Sequence, residues 1–307
     1  MQIGLLSVVT PAFNEEDSIV PFRDAIAALA LPVDYEIVFV DDGSRDATLE
    51  RIRGLADADG RVRYVSFSRN FGKEAALLAG LEHARGDAVV TMDVDLQHSP
   101  ALLTEMLRAL VEEGFDAVAT RRTDRSGEPA LRSWCAHRFY ALMNRFSDVP
   151  LVDGSMDFRM MTRRVVDEVL RLQEANRFTK GIYQWVGFRT KWLETGNVAR
   201  VTGESKWSLW SLFAYSVRGL LAFSTAPLQL ASILGFVCCT CSFVYMTFVF
   251  FKWLVCGDPA AGWPTLICVV LLLGGLQLFV IGILGTYVAG VYREVKRRPA
   301  YIVRESR

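Results

Sequence analysis

Two aspartates beside a short apolar segment are the residues of this 307-residue chain best suited to chemistry. Asp93 and Asp95 follow the apolar run 88–92 with one residue between them. Alternate residues of an extended segment point to the same side, so the two carboxylates should lie together where the segment ends. Paired oxygen ligands of this kind suit Mg²⁺ or Mn²⁺ held against a diphosphate. An isolated Asp-X-Asp is more often a strand running into an acidic turn, so the surrounding elements must decide.

Those elements predict an α/β domain with a mainly parallel sheet, because short apolar runs alternate with helical patterns. We expect strands at 5–10, 36–40, 61–67, 88–92 and 117–120, and helices at 18–29, 48–58, 73–84 and 99–113. Polar clusters follow several strands, at 14–16, 41–44, 68–70 and 93–95. Ligands of open α/β sheets bind at the carboxyl ends of the strands, so these clusters together predict one site.

The sequence disfavours two common nucleotide sites and also nucleic-acid binding. It contains no Gly-X-Gly-X-X-Gly motif, and Gly72-Lys73 lacks the upstream glycine of a phosphate-binding P-loop, so that role is not assigned to Lys73. The 34 basic residues are balanced by 34 acidic residues. The composition therefore lacks the basic excess that nucleic-acid-binding proteins show.

The C-terminal part has the composition of a membrane protein. Between residues 227 and 291 the only formal charges belong to Lys252 and Asp258. The segments 227–251 and 264–291 each exceed the roughly 20 residues that a helix needs to cross a bilayer. We expect a transmembrane hairpin, with a buried helix pair of a soluble protein as the alternative.

The charge distribution orients this hairpin and divides the chain. Basic residues concentrate beyond residue 292, which predicts that both termini are cytoplasmic. The expected parts are a cytoplasmic catalytic domain at 1–205, an interfacial amphipathic helix at 206–225, two membrane helices within 226–292 and a basic cytoplasmic tail at 293–307. Small residues at intervals of four (Gly282, Thr286 and Gly290) would let another helix approach, from the hairpin or from a homo-oligomer.

Eight features in one order resemble family 2 glycosyltransferases of the GT-A fold, in the branch that makes polyprenyl-phosphate sugars and includes dolichol-phosphate-mannose synthases. They are the motifs at 9–16, 40–44, 70–74, 93–97, 157–159, 177–181 and 203–207 and the two-helix tail. The likeness is greatest to the bacterial bactoprenol glucosyltransferases of O-antigen modification. It implies a GT-A-type sheet domain, interfacial helices and a two-helix transmembrane hairpin at the bacterial inner (cytoplasmic) membrane.

The resemblance implies a donor site built from residues at the strand ends. The base and ribose of a nucleotide sugar would be held by Pro11, Phe13, Asn14, Glu15 and Asp42. The metal and the diphosphate would be bound by Asp93, Asp95 and Gln97. A divalent ion there would stabilise the charge that develops on the leaving nucleoside diphosphate.

On the acceptor side, the resemblance implies that Asp157 faces the acceptor and that Arg200 and Lys206 meet the phosphates. A lipid monophosphate has a second pKa of about 6, by analogy with phosphorylated side chains, so it is already a nucleophile at neutral pH. We therefore expect Asp157 to orient a group, through Arg159, rather than to remove a proton. A single in-line displacement would invert the anomeric centre.

The acceptor phosphate also needs cations near the membrane. Arg122 lies in a basic run, and Arg132 and Arg138 fall in the amphipathic stretch 130–146. Arginine recognises phosphate well, and an apolar stripe with aromatic residues can lie in the membrane interface. We expect these three arginines to contact the lipid phosphate, with an ordinary solvated helix face as the alternative.

The resemblance implies transfer of a hexose, first of all glucose from UDP-glucose, to undecaprenyl phosphate at a lipid bilayer. A GDP-mannose-dependent polyprenyl-phosphate-mannose synthase is the second interpretation. A non-enzymatic membrane scaffold or lipid translocator is the third. A processive polysaccharide synthase would carry a Gln-X-X-Arg-Trp motif, which Gln184-Trp185 does not supply.

Overall fold

The computed structural model describes residues 3–122, 152, 154–175, 177–195, 226–256 and 263–307. Its strands are β1 (Leu5–Ala12), β2 (Asp34–Asp41), β3 (Val62–Phe67), β4 (Ala88–Thr91), β5 (Ala117–Arg122), β6 (Ser155–Thr162), β7 (Thr190–Thr195) and β8 (Val303–Ser306). Its helices are α1 (Glu16–Ala27), α2 (Thr48–Ala58), α3 (Lys73–His83), α4 (Leu102–Val111), α5 (Arg163–Arg171), α6 (Thr179–Trp185), α7 (Ala226–Cys256) and α8 (Trp263–Val295).

The strands form one sheet in the order β7-β5-β6-β4-β1-β2-β3-β8. β4, β1, β2 and β3 are mutually parallel, and β5 is parallel to β7. β6 is antiparallel to both of its neighbours, β4 and β5, and β8 is antiparallel to β3. The predicted mainly parallel α/β sheet is confirmed. The carboxyl ends of β1 to β5 and β7 therefore share one edge with the beginning of β6.

Helices cover both faces of the sheet, because alternate residues of the central strands are buried on opposite sides. Val8 and Phe39 pack in a core with side chains of α1, α2 and α4. Val9 and Val38 point the other way and pack with side chains of α3, α5 and α6. Parallel strands with apolar residues on both faces need helices packed on both sides of the sheet.

Most of the predicted elements are present with shifted ends. The first helix, expected at 18–29, is α1, and the helix expected at 99–113 is the shorter α4. β1 continues to Ala12, which brings Pro11 into the sheet opposite Val40. The pairing of β1 with β4 ends at Val9, so proline is tolerated at residue 11 where no ladder bond to β4 is needed.

β6, β7 and β8 have no counterpart among the expected strands. The tail expected at 293–307 contributes β8, which pairs Ser306 with Val65 and Glu305 with Ser66 on β3. A four-residue strand with three polar or charged residues carries no apolar alternation, so the sequence pattern does not predict it. The expected interfacial helix at 206–225 and the expected amphipathic stretch at 130–146 lie outside the described residues.

The two long helices α7 and α8 have 31 and 33 residues and contact each other. Within α8, Leu272–Val295 has a mean hydropathy of 1.9, is long and apolar enough to cross a membrane, and is not buried. No other helix in the described part of the chain meets both criteria, since the apolar stretch Ala231–Tyr245 of α7 is shorter. The two-span hairpin therefore stays a prediction.

Candidate active site

The two aspartates of the Asp-X-Asp motif lie on one side of the chain just beyond β4. Met92 and Val94 are buried, with 1% and 3% of their surface exposed, whereas Asp93 and Asp95 are half-buried. The alternation expected of an extended segment is therefore present. Leu96 ends it with a φ of 55°, in the left-handed region, and the Gln97 N–H donates to Oδ1 of Asp95 at 3.2 Å.

Asp157 reaches the same edge because β6 runs antiparallel to β4. Thr91 at the end of β4 pairs with Arg159, so continuing the register by two residues brings Asp93 towards Asp157. The Thr91 hydroxyl donates to the carbonyl oxygen of Asp157 at 2.6 Å and fixes this junction. Asp93 and Asp157 are thus neighbours across two strands that are distant in the sequence.

The ammonium group of Lys73 lies between these aspartates. Its Nζ is 2.7 Å from Oδ1 and 3.0 Å from Oδ2 of Asp93, and 2.7 Å from Oδ2 of Asp157. Lys73 is the first residue of α3, and Gly72 before it has a φ of 98°, which favours glycine. Sequence reasoning missed this residue because it tested Gly72-Lys73 only as part of a P-loop.

The charges of this cluster are mutually stabilised. Burial acts to lower the pKa of Lys73, but the carboxylates of Asp93 and Asp157 outweigh it, so the pKa lies above its usual range. Burial acts to raise the pKa of Asp157, but Lys180 and Lys73 outweigh it and hold that pKa below its usual range. At neutral pH the lysine is an ammonium and Asp157 is a carboxylate, which makes Asp157 a weak base.

The motif at 177–181 holds the other side of Asp157. Lys180 Nζ is 3.8 Å from Oδ1 of Asp157 and donates to the carbonyl oxygen of Ser155 at 2.9 Å. Thr179 donates to Oε2 of Glu74 through its N–H, at 3.0 Å, and through its hydroxyl. Because Glu74 follows Lys73 on α3, these contacts tie α6 to the helix that carries the central ammonium.

Arg159 is buried behind Asp157 rather than paired with it. Only 3% of its surface is exposed, and its guanidinium lies over the rings of Tyr183 and Trp192, 4.6 and 5.4 Å from their centroids. Burial lowers the pKa of Arg159 to about 10, so the group stays protonated. Among the described residues the Asp157 carboxylate forms ion pairs with Lys73 and Lys180, and Arg159 interacts with it only through the attraction of the two charges. That Asp157 acts through Arg159 stays a prediction.

The four nucleotide-binding residues expected in the first loop lie at the end of β1, all of them half-buried: Pro11, Phe13, Asn14 and Glu15. Asn14 has a φ of 54°, and its Oδ1 accepts a hydrogen bond of 2.9 Å from the Arg45 N–H. The Asn14 N–H donates to Ser44 Oγ at 3.0 Å, and the Glu15 N–H donates to Thr48 Oγ1 at 2.8 Å. The loops after β1 and β2 are therefore joined.

Asp42, the fifth of these residues, organises the loop ahead of α3. Its Oδ1 accepts a hydrogen bond of 2.6 Å from the Phe71 N–H, and its Oδ2 accepts one of 2.9 Å from the Gly72 N–H. Burial raises the pKa of Asp42, and the two hydrogen bonds oppose that rise. A Cβ on Gly43 would stand 2.4 Å from the carbonyl carbon of Arg69, so these loops pack without room for a side chain.

The metal-binding prediction concerns Asp93, Asp95 and Gln97, which lie together beyond β4. Within the described ranges there is no group of three or more His, Cys, Asp and Glu side chains that could hold a metal alone. An ion that also binds substrate phosphates needs only one or two carboxylates from the protein. The Lys73 ammonium lies within 3.0 Å of both carboxylate oxygens of Asp93, which shows that positive charge is stabilised there, so Asp93 fits the role of a ligand to such an ion.

The expected contacts with the acceptor phosphate remain predictions. Arg122 is the last residue of β5. Arg132, Arg138, Arg200 and Lys206 lie outside the described residues. The candidate site described by the structure therefore consists of the residues expected to bind the donor together with Asp157.

Comparison with known proteins places this site in a family. Residues 7–170 match the model described as Glycosyl transferase family 2. The chain is 42% identical to the SfII prophage-derived bactoprenol glucosyl transferase of Shigella flexneri, over 98% of each chain. It is also 42% identical to the putative glycosyltransferase CsbB of Bacillus subtilis (strain 168), over 100% of this chain and 93% of that one.

Solved structures resemble the chain at lower identity. Glucosyl-3-phosphoglycerate synthase from Mycobacterium tuberculosis, solved with Mn²⁺, UDP-glucose and phosphoglyceric acid, is 23% identical, with 71% of this chain and 78% of that chain covered and a TM-score of 0.47. The matched family model spans the segments that carry Asp42, Lys73, Asp93 and Asp157, and the near-full-length relatives also span the motif at 177–181. This chain belongs to glycosyl transferase family 2.

Proposed function

We propose that the protein transfers glucose from UDP-glucose to undecaprenyl phosphate, with inversion at the anomeric carbon, on the cytoplasmic side of a bacterial inner membrane. The observation that carries the proposal is the 42% identity, over 98% of both chains, to a bactoprenol glucosyl transferase. That match spans the segments that carry the site residues as well as the long apolar helices. A function that needed only the soluble domain would not require this extent of likeness.

The donor would lie along the edge formed by the loops after β1, β2 and β4. Asn14 and Asp42 fix the backbone of that edge and would border the base and ribose. Asp93 and Asp95 would meet the diphosphate together with Mg²⁺ or Mn²⁺. When bound there, such an ion stabilises the negative charge of the departing nucleoside diphosphate as a Lewis acid.

Lys73 supports a reaction between two anionic substrates. Its ammonium touches Asp93 on the donor side and Asp157 on the acceptor side. A donor diphosphate and an acceptor phosphate would repel each other in a site of low dielectric constant. A fixed ammonium between them reduces that repulsion and would orient both groups without any proton transfer.

Asp157 would act by position rather than as a general base. Two lysines hold its carboxylate and keep its pKa below the usual range. The acceptor phosphate, with a second pKa of about 6, needs no strong base at neutral pH. Asp157 would therefore hold Lys73 and Lys180 in place for the phosphate oxygens, with Arg122, Arg132, Arg138, Arg200 and Lys206 as further cations.

The apolar helices support a reaction at the bilayer. Leu272 and Leu278 of α8 are each 72% exposed, and Phe236 of α7 is 74% exposed. Large apolar side chains exposed along a helix need an apolar environment. The proposed topology is two membrane helices at 227–251 and 264–291, with the catalytic domain and both termini on the cytoplasmic side.

A donor panel tests the proposal. Full-length protein in detergent or bilayers would be incubated with undecaprenyl phosphate, Mg²⁺ or Mn²⁺ and, separately, UDP-glucose, UDP-galactose and GDP-mannose, and the extracted lipids would be weighed by mass spectrometry. We expect one added hexose with UDP-glucose and far less with the other donors. Preference for GDP-mannose would instead establish a mannose-phosphate-lipid synthase, and no lipid product with any donor would refute the proposal.

A further inference from the structure

The chain beyond α8 returns to the catalytic sheet as a fixed strand. β8 continues the hydrogen-bond ladder of β3, where the Ser68 N–H donates to the Ile302 carbonyl at 3.0 Å and the Arg307 N–H donates to the Tyr64 carbonyl at 2.9 Å. The Glu305 carboxylate pairs with Arg53 of α2 at 2.6 Å. The C-terminal residues are therefore part of the domain that carries the donor site.

Tyr301, just ahead of β8, packs on the aromatic residues beneath the loop that leads into α3. Its ring stacks on Phe67 with the centroids 4.8 Å apart and the planes 19° apart. Phe67 meets Phe71 edge-on, with centroids 5.8 Å apart. The three rings share one apolar cluster with smaller side chains of β2, β3 and α3: Val40, Val65, Ala75, Ala76 and Ala79.

The other end of this cluster is the donor site. The Phe71 and Gly72 N–H groups donate to Asp42, and Lys73 follows directly and reaches Asp93 and Asp157. Phe71 is thus held by the packing of its ring on Phe67 and by the hydrogen bond from its backbone N–H to Asp42. A change in the packing would move the backbone that positions both Asp42 and Lys73.

We propose that Tyr301 is a positioning residue for the donor site, whose ring holds the 70–73 segment in the conformation that presents Asp42 and Lys73 to a nucleotide sugar. The inference rests on the proposed function, because it takes the edge at Asp42 as the nucleotide site. Tyr301 follows α8 after a short connection. The same contact therefore couples the end of α8 to donor binding.

A second contact links the end of α8 to the site independently. Glu294, in the last turn of α8, accepts a hydrogen bond of 2.8 Å from the Ala175 N–H. Ala175 lies a few residues ahead of Thr179, which holds Glu74 beside Lys73. Both contacts connect the end of α8 with the beginning of α3, so α8 is linked to the donor site in two separate places.

Three variants of the full-length protein separate the role of the ring from general anchoring of the strand. Tyr301→Ala removes the ring, and Tyr301→Phe keeps the ring and removes the hydroxyl that contacts Glu82. Arg307→Ala removes an exposed ion pair with Asp57, just beyond the other end of β8. Tyr301→Leu keeps apolar volume without a stacked ring and replaces the alanine variant if that variant does not fold.

Two measurements test the role of the Tyr301 ring. The first is the rate of hydrogen exchange of the Phe71 and Gly72 amides without nucleotide, and the second is the affinity for UDP, measured by calorimetry with Mn²⁺. We expect Tyr301→Ala to speed the exchange of both amides. It should also weaken UDP binding and raise the KM for donor about three- to tenfold, as expected for loss of one aromatic pair. The kcat at saturating donor should stay close to wild type. Tyr301→Phe and Arg307→Ala should resemble the wild type in both measurements.

Unchanged exchange or unchanged UDP affinity in Tyr301→Ala would overturn the inference. An equal loss in Tyr301→Phe would assign the effect to the hydroxyl, and an equal loss in Arg307→Ala would assign it to the strand as a whole, so either result contradicts a role for the ring. Failure of the wild type to bind UDP would refute the proposed donor instead. The exchange of the two amides would then still report whether Tyr301 holds the loop.

Discussion

Asp93 and Asp157 share a single ammonium group, that of Lys73, although Asp93 follows a parallel strand and Asp157 lies near the beginning of an antiparallel one. The antiparallel direction of β6 brings its amino end to the edge where the parallel strands finish. One lysine at the start of α3 can then contact both carboxylates. In the proposed function this contact joins the donor side of the site to the acceptor side.

Lys73→Met should lower kcat/KM about a hundredfold or more, the usual cost of removing a charge-stabilising group from an active site. The neutral side chain would leave two carboxylates facing each other and two anionic substrates without a shared cation. Lys73→Arg should keep part of the activity. Glucosyl-lipid formation measures the effect, and Lys191→Met, which breaks an ion pair with Glu113 away from the site, is the matched control. A Lys73→Met enzyme as active as the control would contradict the assigned role.

The pH dependence distinguishes positioning by Asp157 from base catalysis. The pKa of Asp157 is held below its usual range by Lys180 and Lys73, against the effect of burial. Its carboxylate therefore stays charged from neutral pH to well below pH 4, and its stabilising ion pairs are lost only as the pH falls through that depressed pKa. The rate should fall below about pH 6 only because the acceptor phosphate takes up a proton.

Asp157→Asn should lower kcat and keep this acid limb, because the limb belongs to the substrate. The measurement is the rate of glucosyl-lipid formation between pH 5 and 8 for the wild type and the variant, with protein stability checked at each pH. Disappearance of the acid limb in Asp157→Asn would identify Asp157 as the base.

Asp42→Asn should weaken UDP binding about ten- to a hundredfold, because hydrogen bonds to a charged acceptor contribute about 1.5–3 kcal/mol. An amide in place of the carboxylate turns one acceptor into a donor that faces the N–H of Phe71 or Gly72. Calorimetry with UDP measures the loss. Asp59→Asn, in a turn beside Arg61, is the control, and equal UDP affinities in the two variants would contradict the arrangement.

Thr179→Val should lower the free energy of unfolding by about 1–3 kcal/mol, because it leaves the Glu74 carboxylate without the hydroxyl donor. Thr179 is 1% exposed, so water cannot readily replace the lost bond. Thr179→Ser keeps the hydroxyl and should stay close to the wild type. Denaturant unfolding of the full-length protein compares the two, and equal destabilisation would show that the methyl group, rather than the hydrogen bond, matters.

Local patterns in the sequence predict which of the candidate residues lie at this edge of the sheet. Asp93 and Asp95 share a side because extended chains alternate, and Asn14 and Asp42 join them because parallel strands end at one edge. Both inferences need only the spacing of residues within one segment.

The remaining residues depend on relations that spacing does not contain. Asp157 enters the site through the antiparallel register of β6, and Lys73 enters through the direction in which α3 leaves Gly72. Tyr301 depends on a short polar strand that returns from the far side of α8 to the edge of the sheet. Such long-range pairings are decided by packing, so the pattern along the chain does not reveal them.

Production of a glucosyl lipid tests the central claim most directly. Wild-type protein and the double variant Asp93→Asn, Asp95→Asn would be given radiolabelled UDP-glucose, undecaprenyl phosphate and Mg²⁺ or Mn²⁺, and label in the organic extract would be counted and the lipid mass determined. We predict a labelled lipid whose mass equals undecaprenyl phosphate plus one hexose for the wild type, and no labelled lipid for the variant. Absence of that product from the wild type, or its undiminished formation by the double variant, would contradict the account.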